Sequence, residues 1–315
     1  MIKLNRFDGN PIIMPREGIL WEEKGTFNPT AVFEGGSIHI IYRAVSNDNI
    51  SRMGYARSQD GFYIVERLHQ PIYSPREVFE QKTVAGGGSG CEDPRISKIG
   101  DRFYMCYTAY DGREARVAVT SVSVKDFVDK NWVWDKPILM TEPGVFDKDS
   151  TIFPEKINGK YAIFHRPGES IWLDFVDELK FEAGKWLKGV EVLKPRADKW
   201  DNARVGISSP PIKTNEGWLV LYHGIREPEH RYMASAMLLE LNEPTRIKAI
   251  YNEPLFEPVM KYEKEGPVPN VIFPCGAVKV DDELFVYYGG ADRNVGVCTC
   301  NIEELVSDLL KEGRV

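Results

Sequence analysis

Two adjacent acids, Glu92 and Asp93, sit in the run Cys91-Glu92-Asp93-Pro94-Arg95, and four basic side chains, Arg43, Arg166, Arg204 and His223, lie in short runs elsewhere that fit the same site. On a strand, neighbouring side chains face opposite sides, so only one of the two carboxyls is expected to enter a shared pocket. The other is expected to form a structural ion pair with Arg95. A single inward carboxyl, Asp93 or Glu92, can act as a general acid. Inverting glycoside hydrolysis also needs a second carboxylate roughly 6.5–9.5 Å away to activate water, and none is evident. Several cationic donors without that base suit a small anion, and phosphate suits them well because a guanidinium fork matches its oxygens.

Other chemistries find little support. His165 and His223 belong to different repeats, and no HxH or HExxH spacing marks a metal site. His165 is expected to pack away from the pocket if Arg166 faces into it. The five cysteines (91, 106, 275, 298 and 300) form no CxxC pair and read as small buried apolar residues in a reducing compartment. No GxSxG elbow, phosphate loop or GxGxxG motif occurs.

The elements that must position these groups recur. NPTAVFEGGSIHIIYRA (28–44), EDPRISKIGDRFYMCYTA (92–109), FPEKINGKYAIFHRP (153–167), SPPIKTNEGWLVLYHGI (209–225) and FPCGAVKVDDELFVYYGG (273–290) each join two strand patterns by a polar turn. Their aromatic or histidine markers are Tyr42, Tyr107, His165, Tyr222 and Tyr288, at steps of 65, 58, 57 and 66 residues. Such a period points to radial sheet repetition. The expected fold is all-β, a five-bladed β-propeller forming one domain over residues 1–315, with a short C-terminal helix. The residues after the markers, Arg43, Thr108, Arg166, His223 and Gly289, are expected to line its central pocket.

The 315 residues carry a net charge of −7, which argues against a nucleic-acid or anionic-membrane surface. The opening MIKLNRFDGN has no apolar leader and no run reaches membrane-spanning length, so a cytoplasmic location is expected. The glycine-rich stretch 85–90 leads directly into Glu92 and reads as a site entrance. Apolar residues at 302, 305, 306, 309 and 310 predict a helix that packs outside the propeller or serves an interface, which leaves room for a homo-oligomer.

FNPTAV (27–32), IYRA (41–44), EDPRI (92–96), IFPEKINGKYAIFHRP (152–167), ARVG (203–206), GWLVLYHG (217–224), VPNVIFPCGA (268–277) and YYGGAD (287–292) carry a resemblance over essentially the whole length. The chain resembles glycoside hydrolase family 130, the β-mannoside phosphorylases and related mannosidases. The resemblance implies a five-bladed propeller and assigns the general acid to Asp93. It implies a phosphate site of Arg166, Arg204 (where many relatives have Lys), His223 and Tyr232. It implies a terminal mannose held by Asn28, Arg43 and Asp292, with Asp149 as a lesser substrate contact, and Lys213 left in solvent. Inorganic phosphate would be co-substrate and a β-mannoside oligosaccharide the substrate, with no metal or organic cofactor. The short connections after Pro167 and Gly224 resemble the β-1,2 branch more than the β-1,4 branch. The rivals are an inverting hydrolase of the same fold and a noncatalytic sugar-binding propeller.

Overall fold

The computed structural model describes residues 2–181 and 184–315. Alternating apolar runs broken by polar turns fold into antiparallel meanders. A short strand, β1 (Asn5–Arg6), precedes the first meander, β2 (Gly25–Glu34), β3 (Ser37–Val45), β4 (Ile50–Ser58) and β5 (Ile64–Arg67). The second comprises β6 (Ser89–Ile99), β7 (Arg102–Tyr110), β8 (Ala115–Ser123) and β9 (Ile138–Leu139). A parallel contact, Ile50 with Ser89 and Ser51 with Gly90, joins these two into one eight-stranded sheet. The third contains β10 (Asp147–Ile152), β11 (Tyr161–Pro167), β12 (Ile171–Val176) and β13 (Val190–Leu193). The fourth contains β14 (Arg204–Ile207), β15 (Ile212–Lys213), β16 (Trp218–Arg226), β17 (Arg231–Leu239) and β18 (Ile247–Ile250). In the fifth, β19 (Ile272–Val280), β20 (Glu283–Gly290) and β21 (Asn294–Asn301) are completed by β1, which pairs with β21.

Each meander packs on the next through its own apolar core. Ile41 and Tyr55 meet Ile96 and Phe103 between the first and second. Cys106 and Val117 meet Ile152 and Ile163 between the second and third. Phe164 and Leu173 meet Val205 and Trp218 between the third and fourth. Leu221 and Leu238 meet Val286 and Tyr288 between the fourth and fifth. Finally, Ile40 and Tyr42 meet Phe285 and Val297, so the fifth lies against the first. The C-terminal helix, Ile302–Glu312, is capped by the Asn301 side chain and packs Leu305, Val306 and Leu309 into the core between the fourth and fifth meanders.

The repeat markers prove to be structural. Tyr42 donates to Glu22 at 2.7 Å, Tyr107 to Glu80, Tyr222 to Asp201 at 3.3 Å and Tyr288 to Glu263 at 2.9 Å, while the His165 ring meets Asp147 at 2.8 Å. All five carboxylates are buried. A buried charge is tolerated only when its oxygens are satisfied, so each meander acquires one pinned aromatic or histidine. The pinned side chain faces a core, which turns the following residue the other way.

Candidate active site

A repeated defect in the sheets builds the site. β2 slips against β3 between Phe27 and Thr30, β6 against β7 between Glu92 and Arg95, and β10 against β11 between Lys148 and Thr151. At these bulges Asn28, Asp93 and Asp149 adopt φ of 47°, 52° and 52°. Asn and Asp tolerate this left-handed conformation better than other side-chain-bearing residues, and a bulge re-aims the side chain. All three reach one cavity of about 210 Å³, as does Asp292 at φ 54° just beyond β20. Arg43, Arg166, Arg204, His223 and Tyr232 line the same cavity, which therefore holds all nine residues that the resemblance assigned to the acid, the phosphate or the sugar. Thr108 and Gly289 do not line it. Gly289 instead lies behind Asn28, where a Cβ would stand 2.2 Å from Asn28 Oδ1.

At one end of the cavity the acids gather on Arg43. Asp93 Oδ1 accepts from Asn28 Nδ2 at 2.9 Å and from Arg43 Nη1 at 3.1 Å. Arg43 Nη2 donates to Glu92 Oε1 at 2.7 Å, and Lys148 Nζ to Glu92 Oε2 at 3.0 Å. Of the two acids only Asp93 lines the cavity, as expected, but the bulge breaks the strand alternation so far that both carboxyls still meet one guanidinium. The expected ion pair between Glu92 and Arg95 is also absent, because Arg95 turns toward Asp149. Burial alone would raise Glu92, but Arg43 and Lys148 hold it below the usual carboxylate range. Asp292 differs. Burial, with Asp93 and Glu92 nearby, raises it to about 6 against the pull of Arg43.

The other end is organised around Asp149. Its Oδ1 accepts from Arg95 Nη2 at 3.0 Å, its Oδ2 from Arg166 Nε at 2.5 Å, and His223 Nε2 stands 3.5 Å away. Burial opposes ionisation, yet Arg166, Arg95 and His223 keep Asp149 well below its ordinary pKa. Asp149 is thus the hub that orients the cationic end. Gly206 makes the hub possible, since a Cβ there would meet Asp149 Oδ2 at 2.4 Å and His223 Nε2 at 2.5 Å. Burial pushes His223 below its ordinary pKa with Asp149 only partly opposing, so the ring is a neutral donor rather than the cation assumed from sequence. Its Nδ1 is buried without a hydrogen-bond partner among the described residues. Arg204, half-buried, reaches Glu169 through Nη2 at 3.0 Å and through Nε. Burial raises the Tyr232 phenol.

The family model described as β-1,4-mannooligosaccharide phosphorylase, glycoside hydrolase family 130, matches residues 13–312. The chain belongs to family 130. A 1,2-β-oligomannan phosphorylase of Thermoanaerobacter sp. (strain X514) is 39% identical over 314 residues, spanning 97% of this chain and 99% of that protein. A β-1,2-mannobiose phosphorylase of the same organism is 35% identical over 322 residues, spanning 97% of this chain and 99% of its own length. Among solved structures, the β-1,2-mannobiose phosphorylase of Listeria innocua, in complex with β-1,2-mannobiose, superposes with a TM-score of 0.83. It is 28% identical, and the match covers 99% of this chain and 100% of that one.

In this family 130 chain the sequence reading missed several groups. Lys148 lines the cavity and is held charged, burial opposing and Glu92 and Asp93 raising its pKa. Its one signal in the sequence is adjacency to Asp149, and on an unbroken strand neighbours face opposite sides. Arg95 is fully buried and ties the two ends together, donating to the Asp93 carbonyl at 3.1 Å and to Asp149. Phe146, Val268, Val271 and Phe273 supply apolar wall. His165 packs against Asp147 as expected, and Lys213 pairs with Glu155 at the surface. Among the described residues no group of three or more His, Cys, Asp or Glu side chains is placed to hold a metal. No described helix is long and apolar enough to cross a membrane.

Proposed function

We propose that this chain is an inverting β-mannoside phosphorylase, a transferase built as a single five-bladed β-propeller. It cleaves a terminal β-mannosidic bond with inorganic phosphate and releases α-mannose 1-phosphate. The observation that carries the reading is the division of one cavity into two ends, carboxyls with Asn28 and Arg43 at one and Arg166, Arg204, His223 and Tyr232 at the other. A water-activating carboxylate at the cationic end would favour hydrolysis. The acid there, Asp149, is already bonded to two arginines and is a poor base.

In this reading Asn28, Arg43 and Asp292 hold the terminal mannose. Asp93 supplies the proton that leaves with the departing sugar oxygen, passing through the mannose 3-hydroxyl as in the resembled family. Phosphate, bound by Arg166, Arg204, His223 and Tyr232, forms the new bond to C1 on the opposite face as the glycosidic bond breaks. Holding the anion in line, in a site whose dipoles are already oriented, supplies much of the rate. Neutral His223 donates one N–H to the phosphate. No metal enters the reaction. The five buried free cysteines support a reducing, cytoplasmic setting.

The linkage is β-1,2. The family model carries a β-1,4 description, but the two relatives matched over nearly their whole length at 39% and 35% identity are named for β-1,2 substrates. The short connections after Pro167 and Gly224 agree with them. The test follows β-1,2- and β-1,4-mannobiose side by side, with and without phosphate, by phosphorus NMR. The expected result is phosphate-dependent α-mannose 1-phosphate with the higher kcat/KM on the β-1,2 compound. Turnover without phosphate would convert the assignment to hydrolysis, and a β-1,4 preference would reverse the linkage alone.

A further inference from the structure

A separate cleft of about 550 Å³ opens between the second and third meanders and shares no lining residue with the catalytic cavity. Tyr161 begins β11 and lines this cleft, whereas Arg166, further along the same strand, lines the cavity. At about 3.3 Å per residue the span from 161 to 166 is roughly 16 Å, so the two sites lie toward opposite ends of the sheet. One wall of the cleft is already ordered. Arg102 donates to Ser121 Oγ through Nε at 3.2 Å and through Nη2 at 3.0 Å. Ser121 Oγ donates to Asp135 Oδ2 at 2.5 Å, and Thr120 Oγ1 to the Asp135 carbonyl at 2.7 Å. The third meander contributes Tyr161, with the exposed Lys156 ammonium 4.3 Å from its ring centre.

Tyr104 and Tyr161 both pack on the apolar core between these meanders, yet among the described residues neither hydroxyl has a hydrogen-bond partner. Burial, with Tyr161 nearby, raises the Tyr104 phenol, which stays a neutral donor. Two unengaged phenols beside a fixed guanidinium, carboxylate and hydroxyl supply both kinds of partner that pyranose hydroxyls need. The tyrosine rings, with Val119 and Leu179, add apolar surface for a sugar's C–H groups. The charges do not suit a phosphate. Arg102 already pairs with Asp135, Lys136 with Glu77 at 3.9 Å and Lys180 with Glu178 at 3.1 Å, so few spare cations remain. The volume falls in the range of roughly 300–1,000 Å³ typical of small-molecule sites. We propose that this cleft is a noncatalytic binding site for a neutral oligosaccharide, holding one glycan chain while another is cleaved at the far end of the sheet.

This inference rests on the β-mannoside reading for its probe, β-1,2-mannotetraose. Asp93→Asn blocks turnover by phosphorolysis or by hydrolysis, so calorimetric titration of that variant counts the sites whichever reaction the protein performs. Two binding events per chain are expected. Adding Tyr104→Phe and Tyr161→Phe keeps both rings in the core and removes only the unpartnered hydroxyls. The second event is then expected to weaken about 5- to 50-fold, the range for two lost hydrogen bonds, while the first stays within about twofold. With Asp93 intact, the same two tyrosine changes should leave kcat/KM on β-1,2-mannobiose within about twofold of wild type, a difference smaller than one hydrogen bond. A single binding event, or a second event that the tyrosine changes leave as it was, would overturn the proposal. So would a fall in mannobiose kcat/KM matching the loss of binding, since the tyrosines would then be acting on the catalytic cavity. A wild-type protein that forms no α-mannose 1-phosphate would instead sink the phosphorolytic reading and leave the count of sites standing.

Discussion

Replacing Asp149 with Asn removes one negative charge from between two buried arginines. Oδ1 lies 3.0 Å from Arg95 Nη2 and Oδ2 2.5 Å from Arg166 Nε, with Arg95 1% and Arg166 4% exposed. Removing one partner of a buried ion pair costs about 3–5 kcal/mol because the remaining charge is left uncompensated. Asparagine accepts the left-handed backbone at this position and keeps one acceptor, so the lower end, about 3 kcal/mol, is expected. For a chain of this size that lowers Tm by roughly 5–10 °C. The kinetic effect should run the other way. Arg166 stays oriented through its Nη1 bond to the Gly168 carbonyl at 2.5 Å, while its Nε no longer serves a competing carboxylate. The KM for phosphate is then expected to fall severalfold, and that for the mannoside to stay put. Thermal melts and initial rates with each substrate varied in turn provide the check. An unchanged Tm would refute the hub, and a raised mannoside KM beside an unchanged phosphate KM would make Asp149 a sugar ligand instead.

Asp93→Asn should keep the fold, since Asn28 and Arg43 still find an acceptor, but should lower kcat by about 10²–10⁴-fold through loss of the transferable proton. Retention of more than about a tenth of kcat on an unactivated disaccharide, a barrier change under about 1.4 kcal/mol, would move the acid to Glu92 or Asp292. Arg166→Ala should raise the phosphate KM by an amount equivalent to about 1.5–3 kcal/mol and the mannoside KM far less; equal increases would make Arg166 a scaffold residue. Asp292, raised to about 6 when folded, binds more protons folded than unfolded between about pH 4 and 6, so its burial erodes stability as pH rises through that window. Asp292→Asn should therefore gain stability over wild type above pH 6, by up to about 3 kcal/mol, and match it near pH 4. Urea unfolding at both pH values decides this, and a difference that does not vary with pH would argue against a titrating Asp292.

Much of the architecture could be read from the residues because strand alternation and turn chemistry are local. The five markers recur at nearly constant steps, and the eight family segments fall in the same order as the strands that carry the site. Hidden from that reading were the partners of the markers. Glu22, Glu80, Asp147, Asp201 and Glu263 precede them by unequal intervals in segments of different shape, so no spacing reveals them. The bulges escaped for another reason. Period-two logic assumes an unbroken strand, and a single left-handed residue in β6 or β10 reverses every assignment around it. Hence strand alternation does not reveal that Glu92 shares Arg43 with Asp93, that Arg95 pairs with Asp149, or that Lys148 reaches the cavity. The protonation of His223 and Asp292 depends on how many charges surround each ring or carboxyl, which only the folded chain defines.

The joining of β1 to β21 bears on when the protein becomes an enzyme. Asn10 Nδ2 donates to the Val297 carbonyl at 2.7 Å while Asn10 Oδ1 accepts from Val297 N at 2.9 Å, across a separation of 287 residues. Closing a loop of that length costs on the order of 5 kcal/mol in chain entropy, so this seam forms after the local hairpins. During synthesis residues 5–10 must wait for β21. Asp292 stands immediately before that strand, so the cavity is completed in the same step. A nascent chain halted before residue 294 would therefore present an open cavity and an unsheltered apolar flank on its first meander. Completion of the cavity is therefore expected to coincide with the docking of β21, and a chain lacking that strand is expected to expose the apolar flank that Val295 and Val297 otherwise cover.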